Sequence, residues 1–248
     1  MKGGGGNDTL LGGAGNDTFA QGAGNDVIDG GVQMRWPWIP SSNGDNDVID
    51  LSGNSMGASI NLSLRTIALN SPGSGTTTYS HIENIYGTSS QDTVTGRTSQ
   101  SATVGDGVAI FLYMNGGSDV FNFDPYGVQQ PWAGGATVSY GWSKTGVRMQ
   151  ALSDNTASVS YGASGSQMAG IDTLRNITQV ADSPFDDVFD LSLLRVNHLG
   201  YMTDIERNTS YFTVALYRGG HDTVIGAGDV NLNFASINGS LNGQGLTA

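Results

Sequence analysis

The chain has no cysteine. Disulfide staples are therefore excluded, and cohesion must come from packing or from a bound ion. Long apolar runs are missing too. The longest, Val108 to Met114, falls far short of the roughly 20 residues a membrane-crossing helix needs. No apolar leader follows Met1 and Lys2, where the sequence runs straight into glycines. Charge is scarce, at 13% of residues against about 25% in ordinary domains. Ten basic residues face 22 acidic ones, for a net charge of −12, which argues against a nucleic-acid partner.

Glutamate is nearly absent as well. Only Glu83 and Glu206 are Glu, so twenty of the acidic residues are Asp. A charged helical surface would favour Glu, the better helix former. Asp suits turns, where its short carboxylate can close on a metal beside backbone carbonyls. Catalytic signatures are lacking. His81, His198 and His221 are scattered, with no H-E-x-x-H. There is no G-x-S-x-G elbow, P-loop or dinucleotide fingerprint. The adjacent Asp186 and Asp187 point to opposite faces of an extended chain, a poor arrangement for paired acid–base work. The chain is not expected to be an enzyme.

Glycine is abundant instead: 38 residues, roughly twice the usual share of about 7%. Residues 3–29 divide into three nonapeptides, GGGGNDTLL, GGAGNDTFA and QGAGNDVID. Each follows G-G-x-G-x-D-x-U-x, with U a large apolar residue. The Asp falls at Asp8, Asp17 and Asp26, and the apolar position at Leu10, Phe19 and Ile28. Only Gln21 departs from the glycine pattern within the tract. Nine residues make a turn of six and a strand of three, so two nonapeptides make one circuit and alternate turns stack. Glycine reaches positive φ and keeps side chains clear, which lets carbonyls converge on a cation.

Looser half-motifs place Asp47, Asp92, Asp119, Asp187 and Asp222 before alternating apolar strands. Two glycines precede Asp119 and Asp222, which favours calcium there. Asp92 and Asp187 fit a plain Asx turn equally well. The chain divides into a strict tract, 1–31, and a diverged remainder, 32–248. Two imperfect units lie near 43–96 and 115–191, with a partial third from 218. Period-2 alternation dominates. One weak helix is expected near Leu191 to Glu206, and the Pro-containing stretches 36–42 and 126–132 read as loops.

The three tandem nonapeptides resemble the RTX calcium-binding repeat family. The resemblance implies an all-β protein, a parallel β-roll or β-helix solenoid with irregular loops, holding Ca²⁺ between stacked turns. One site would use Asp8 and Asp26 with carbonyls around Gly4, Gly6, Gly22 and Gly24. Asp17, with Gly13 and Gly15, would face the other side. A regular fourth repeat would put Arg35 at the Asp place, so Asp17 finds a partner only if Asp45 or Asp47 comes round after the insertion. Asp47, Asp119 and Asp222 complete the candidate ligands.

The resemblance also implies type I secretion from a Gram-negative bacterium and an extracellular or cell-surface location. The leading expectation is a structural or adhesive module that self-associates into a surface layer, matrix or filament, or serves a larger parent protein. Alternatives are the non-catalytic calcium-binding portion of a secreted hydrolase or epimerase, or a carbohydrate-binding module. Phe123-Asp124-Pro125 resembles an alginate-epimerase catalytic motif, but Tyr126 stands where that family has His. Trp36, Trp38, Trp132 and Trp142 could meet surface glycans or cap the core.

Overall fold

The computed structural model describes residues 1–31, 33–35, 39–41, 46–97, 111–124, 136–153, 155–162, 169–177, 179–194, 212–216, 218–226 and 230–233. Among these residues there is no helix. The strands form a twelve-stranded, an eight-stranded and a two-stranded sheet. Leu191–Leu194 includes a turn, and the rest of the expected helix lies outside the described residues, as does 126–132.

The chain alternates between the two large sheets. β1 (Thr9–Leu11) and β3 (Val27–Asp29) join the twelve-stranded sheet, with β2 (Thr18–Ala20) in the eight-stranded sheet between them. The insertion after residue 31 is not simply a loop. β4 (Gln33–Arg35) and β5 (Ile39–Ser41) pair antiparallel as the separate small sheet. β6 (Val48–Asp50) resumes the eight-stranded sheet, and β7 (Ala58–Asn61), β8 (Thr66–Leu69) and β9 (Thr77–Ser80) fold as an antiparallel triplet in the broad one.

Single strands follow in alternation: β10 (Asn84–Tyr86), β11 (Thr93–Arg97), β12 (Phe111–Tyr113), β13 (Val120–Asp124) and β14 (Thr137–Ser139). A second triplet, β15 (Arg148–Ser153), β16 (Thr156–Tyr161) and β17 (Gly170–Arg175), again enters the broad sheet. β18 (Gln179–Ala181), β19 (Val188–Asp190), β20 (Phe212–Ala215), β21 (Thr223–Ile225) and β22 (Val230–Asn233) finish the alternation. The eight-stranded sheet is parallel throughout, and the broad sheet is parallel except inside its triplets. A triplet leaves by a strand running the same way as the one that entered, so the parallel order survives it.

Register explains why three-residue strands suffice. In the eight-stranded sheet the central positions Phe19, Ile49, Ile85, Leu112, Val138, Val180 and Val214 pair in one continuous column. All are buried. The facing sheet supplies Leu10 and Ile28, then Ile60, Val94, Phe121 and Leu174, then Met149, Phe189 and Val224. Each fully buried side chain of this size contributes about 1.5–3 kcal/mol over exposure. Flanking residues point outward, as in the exposed Thr9, Thr18 and Val27. A slip of one residue would reverse every face.

Candidate metal centre

The turns between sheets stack with the strands. Thr9 pairs with Val27 and Val27 with Thr78, so Asp8, Asp26 and Thr77 occupy one place in three successive circuits. The turns themselves, 3–8, 21–26 and 71–77, are clamped in both directions. The Asp8 amide donates to Asp26 Oδ1 at 3.0 Å, while the Asn25 amide donates back to Asn7 Oδ1 at 2.8 Å. The Thr76 amide extends the second series to Asn25 Oδ1 at 3.0 Å. Gly4 accepts from the Ala23 amide, and Gly6 donates to the Ala23 carbonyl, each at 2.8 Å.

Close packing of these turns requires glycine. A Cβ on Gly22 would meet the Gly4 carbonyl at 2.2 Å, and one on Gly24 would meet the Gly6 carbonyl at 2.1 Å. Gly4, Gly6 and Gly24 also hold positive φ, which an L side chain rarely adopts. At the first position of the repeat, a Cβ on Gly3 would lie 2.6 Å from Asp8 Oδ2. The space there belongs to the carboxylate.

Asp26 Oδ1 pins register, and the second carboxylate oxygens have different company. Asp8 Oδ2 and Asp26 Oδ2 are buried with no hydrogen-bond partner, as are Thr77 Oγ1 and both amide atoms of Gln21. A buried polar atom without a partner costs about 1–3 kcal/mol, and an ionised one more. Three circuits thus hold several buried oxygens that the protein does not satisfy. Hard oxygens from Asp, amide and carbonyl groups are the donors calcium takes. The residues fit a divalent cation at this stack.

On the opposite edge, Asp17 meets Asp47. β2 pairs with β6, and the Asp17 amide donates to Asp47 Oδ1 at 2.7 Å, so the insertion returns the chain to register. Asn46 repeats the return contact to Asn16 Oδ1 at 2.9 Å. Gly13 and Gly15 have positive φ in this turn, and the Gly13 carbonyl lies 2.0 Å from where a Cβ of Gly31 would sit. The next circuit changes chemistry: the Asp47 amide donates to Glu83 Oε2 at 2.7 Å.

Further along, aspartates keep the ladder and acquire internal partners. The Ala58 amide donates to Asp92 Oδ1, the Asp92 amide to Asp119 Oδ1 and the Asp119 amide to Asp172 Oδ1, at 2.7, 2.8 and 2.9 Å. Thr88 donates its hydroxyl to Asp92 Oδ1 at 2.8 Å and its amide to Oδ2 at 2.9 Å. Asp172 is closed by the Tyr161 hydroxyl on Oδ1 and the Tyr140 hydroxyl on Oδ2, at 2.9 and 3.0 Å. Asp119 Oδ2 alone in this run is buried without a partner. Burial pushes the Asp92, Asp119 and Asp172 carboxyls up from the usual range.

Near the other end, the Val147 and Asp187 amides donate to Asp187 and Asp222 Oδ1, at 2.7 and 3.0 Å. Asp182 joins them, with one carboxylate oxygen from each of the three residues lying within 4.8 Å of the others. Burial raises the Asp187 carboxyl and pushes Asp222 to about 6. A guanidinium lies beside one member of this cluster, Asp182. Arg218 places Nε 3.6 Å from Asp182 Oδ1, donates its amide to Oδ2 at 2.9 Å, and reaches Ser139 Oγ with Nη2 at 3.2 Å. Ser183 closes Asp187 with its hydroxyl at 2.6 Å and its amide at 2.8 Å.

Sequence reading did not find Asp172, Asp182 or Arg218. Asp172 is one alternating residue within a strand, and Arg218 acts across 36 residues on Asp182. Trp142 packs against Tyr140 and edge-on to Tyr161 at 5.0 Å, over the core. Trp36, Trp38 and Trp132 lie outside the described residues.

Residues 2–33 match the family model of the RTX calcium-binding nonapeptide repeat, in four copies. This segment is therefore a run of RTX repeats, and such repeats bind calcium. The matched range ends at the first residue of β4. No curated protein matches the chain.

Proposed function

We propose that the chain is a secreted calcium-binding structural or adhesive module, built as a parallel β-roll that passes into a longer β-solenoid. Calcium is held between circuits at the strict repeats by Asp8 and Asp26, and on the opposite edge by Asp17 and Asp47. The observation carrying this reading is the stack at 3–8, 21–26 and 71–77, where in-register turns bury Asp8 Oδ2, Asp26 Oδ2 and Thr77 Oγ1 without hydrogen-bond partners. Two carboxylates brought together by register repel unless a cation lies between them. Ordering of these turns therefore couples to calcium. A chain that orders only in millimolar calcium suits folding outside the cell. The sheet edges and the long row of outward strands suit a building block that associates with copies of itself or with a parent protein.

Calorimetric titration of the chelated chain with calcium, run beside Asp26→Asn, tests the binding. Asp26→Asn keeps an acceptor for the Asp8 amide but loses a charge. The expected result is calcium uptake by the wild type, weakened on the order of tenfold or more in the variant. No uptake by the wild type would contradict the reading. Light scattering across the same titration tests the structural role: growth of assemblies with calcium supports it, and a monomer throughout opposes it.

A further inference from the structure

Gln21 occupies the first position of its repeat, where the other strict repeats have Gly3 and Gly12. The parallel bridges Lys2 to Ala20 and Gly5 to Ala23 set Gly3 against Gln21 in neighbouring circuits. Four glycines show where a side chain at this place must go. A Cβ would lie 2.6 Å from Asp8 Oδ2 at Gly3, 2.7 Å from Asp17 Oδ2 at Gly12, 2.4 Å from Asp47 Oδ2 at Gly30 and 2.5 Å from Asp92 Oδ2 at Gly87. In each case the carboxylate of the repeat's own Asp lies in that direction. One further turn carries a real side chain here. Asp182, five residues before Asp187, brings its carboxylate within 4.8 Å of that Asp.

In the second circuit the same direction carries the Gln21 side chain toward Asp26. Gln21 is 5% exposed and Asp26 2% exposed. Both amide atoms of Gln21, together with Asp26 Oδ2, are buried without a hydrogen-bond partner. A primary amide has donors and acceptor lone pairs to satisfy, and burying them unmet opposes folding. Glycine would fit the pattern at no such cost. The amide oxygen is, however, a hard neutral ligand that calcium accepts beside carboxylates.

We infer that Gln21 Oε1 is a direct ligand of the cation held by the Asp8–Asp26 stack. A position that is bare in the other strict repeats here adds a side-chain donor in place of a water. The inference rests on the calcium-binding reading of the same stack.

The test uses the full chain and two variants. Gln21→Gly restores the repeat pattern, and Gln21→Glu keeps an oxygen at the same reach. Calcium affinity is read by calorimetry. Terbium(III) luminescence lifetimes in H₂O and D₂O count the waters on the bound ion. Gln21→Gly is expected to weaken calcium on the order of tenfold and to raise the summed water count by one. Gln21→Glu is expected to leave the water count as in the wild type. Melting in chelator separates ligand from scaffold, since a ligand's loss lowers only the calcium-dependent gain in Tm. Unchanged affinity and water count in Gln21→Gly, with the wild type still binding, would overturn this role and leave the stack's calcium site standing. A wild type that binds neither ion would instead overturn the site itself.

Discussion

The stack at Asp8 and Asp26 and the cluster at Asp182, Asp187 and Asp222 use the same ladder and answer the same electrostatic problem differently. Both set one Asp oxygen against the amide of the preceding circuit, at 3.0 Å for Asp8 to Asp26 and for Asp187 to Asp222. In the second region, Ser183 closes Asp187 and Arg218 spans Asp182 and Ser139. In the first, the neighbours are glycines and the remaining oxygens have no internal partner. The ladder aspartate is thus a register pin wherever it occurs. On the proposed reading it serves as a cation ligand where its second oxygen is buried without a hydrogen-bond partner, as at Asp8 and Asp26. Thr88 does for Asp92 what Ser183 does for Asp187.

If this contrast holds, the two regions part company most sharply on chelation. Hydrogen exchange in chelator is expected to strip protection from β1, β2 and β3 while β11, β18 and β19 keep theirs. Equal protection across the chain would erase the distinction. Arg218→Met breaks the internal cation of the second region. With Asp182 fully buried, removing one partner is expected to cost about 3 kcal/mol in a urea melt, equally with and without calcium. Rescue by calcium would show that this cluster also is a metal site.

The buried ladder beyond the strict repeats should also respond to pH. The buried Asp92, Asp119, Asp172 and Asp187 carboxyls are raised by burial. A group with a raised folded pKa keeps its proton in the fold and releases it on unfolding near pH 4. Its stabilisation is full below that pH and is lost as pH rises through the folded value. The chelated protein should therefore melt lower at pH 8 than at pH 5. The smallest effect is expected from Thr88→Ala, about 1 kcal/mol for a buried hydroxyl donor lost from Asp92, with calcium affinity unchanged.

Much of the first region was legible in the sequence because glycine spacing states geometry directly. A nine-residue period with two turns per circuit placed Asp8 over Asp26. It also left Asp17 waiting for a partner that Asp47 provides. The apolar positions Leu10, Phe19 and Ile28 read correctly as inward. The triplets β7–β9 and β15–β17 were not legible, since alternation marks a strand without its direction. The second region was obscure for another reason. Arg218 sits beside two glycines and a His like any turn residue, and only the fold brings it to Asp182 and Ser139. Gln21 did stand out, as the one break in the glycine pattern, but reading it as a ligand needed the direction a Cβ would take at Gly3, Gly12, Gly30 and Gly87.

Crystals grown in millimolar calcium and measured for anomalous scattering would put the central distinction to the test most directly. The expected map has a peak in the turn stack against Asp8 Oδ2 and Asp26 Oδ2, and none between Asp187 and Arg218. Density showing those turns ordered without an ion, or an ion seated beside Arg218 instead, would contradict it.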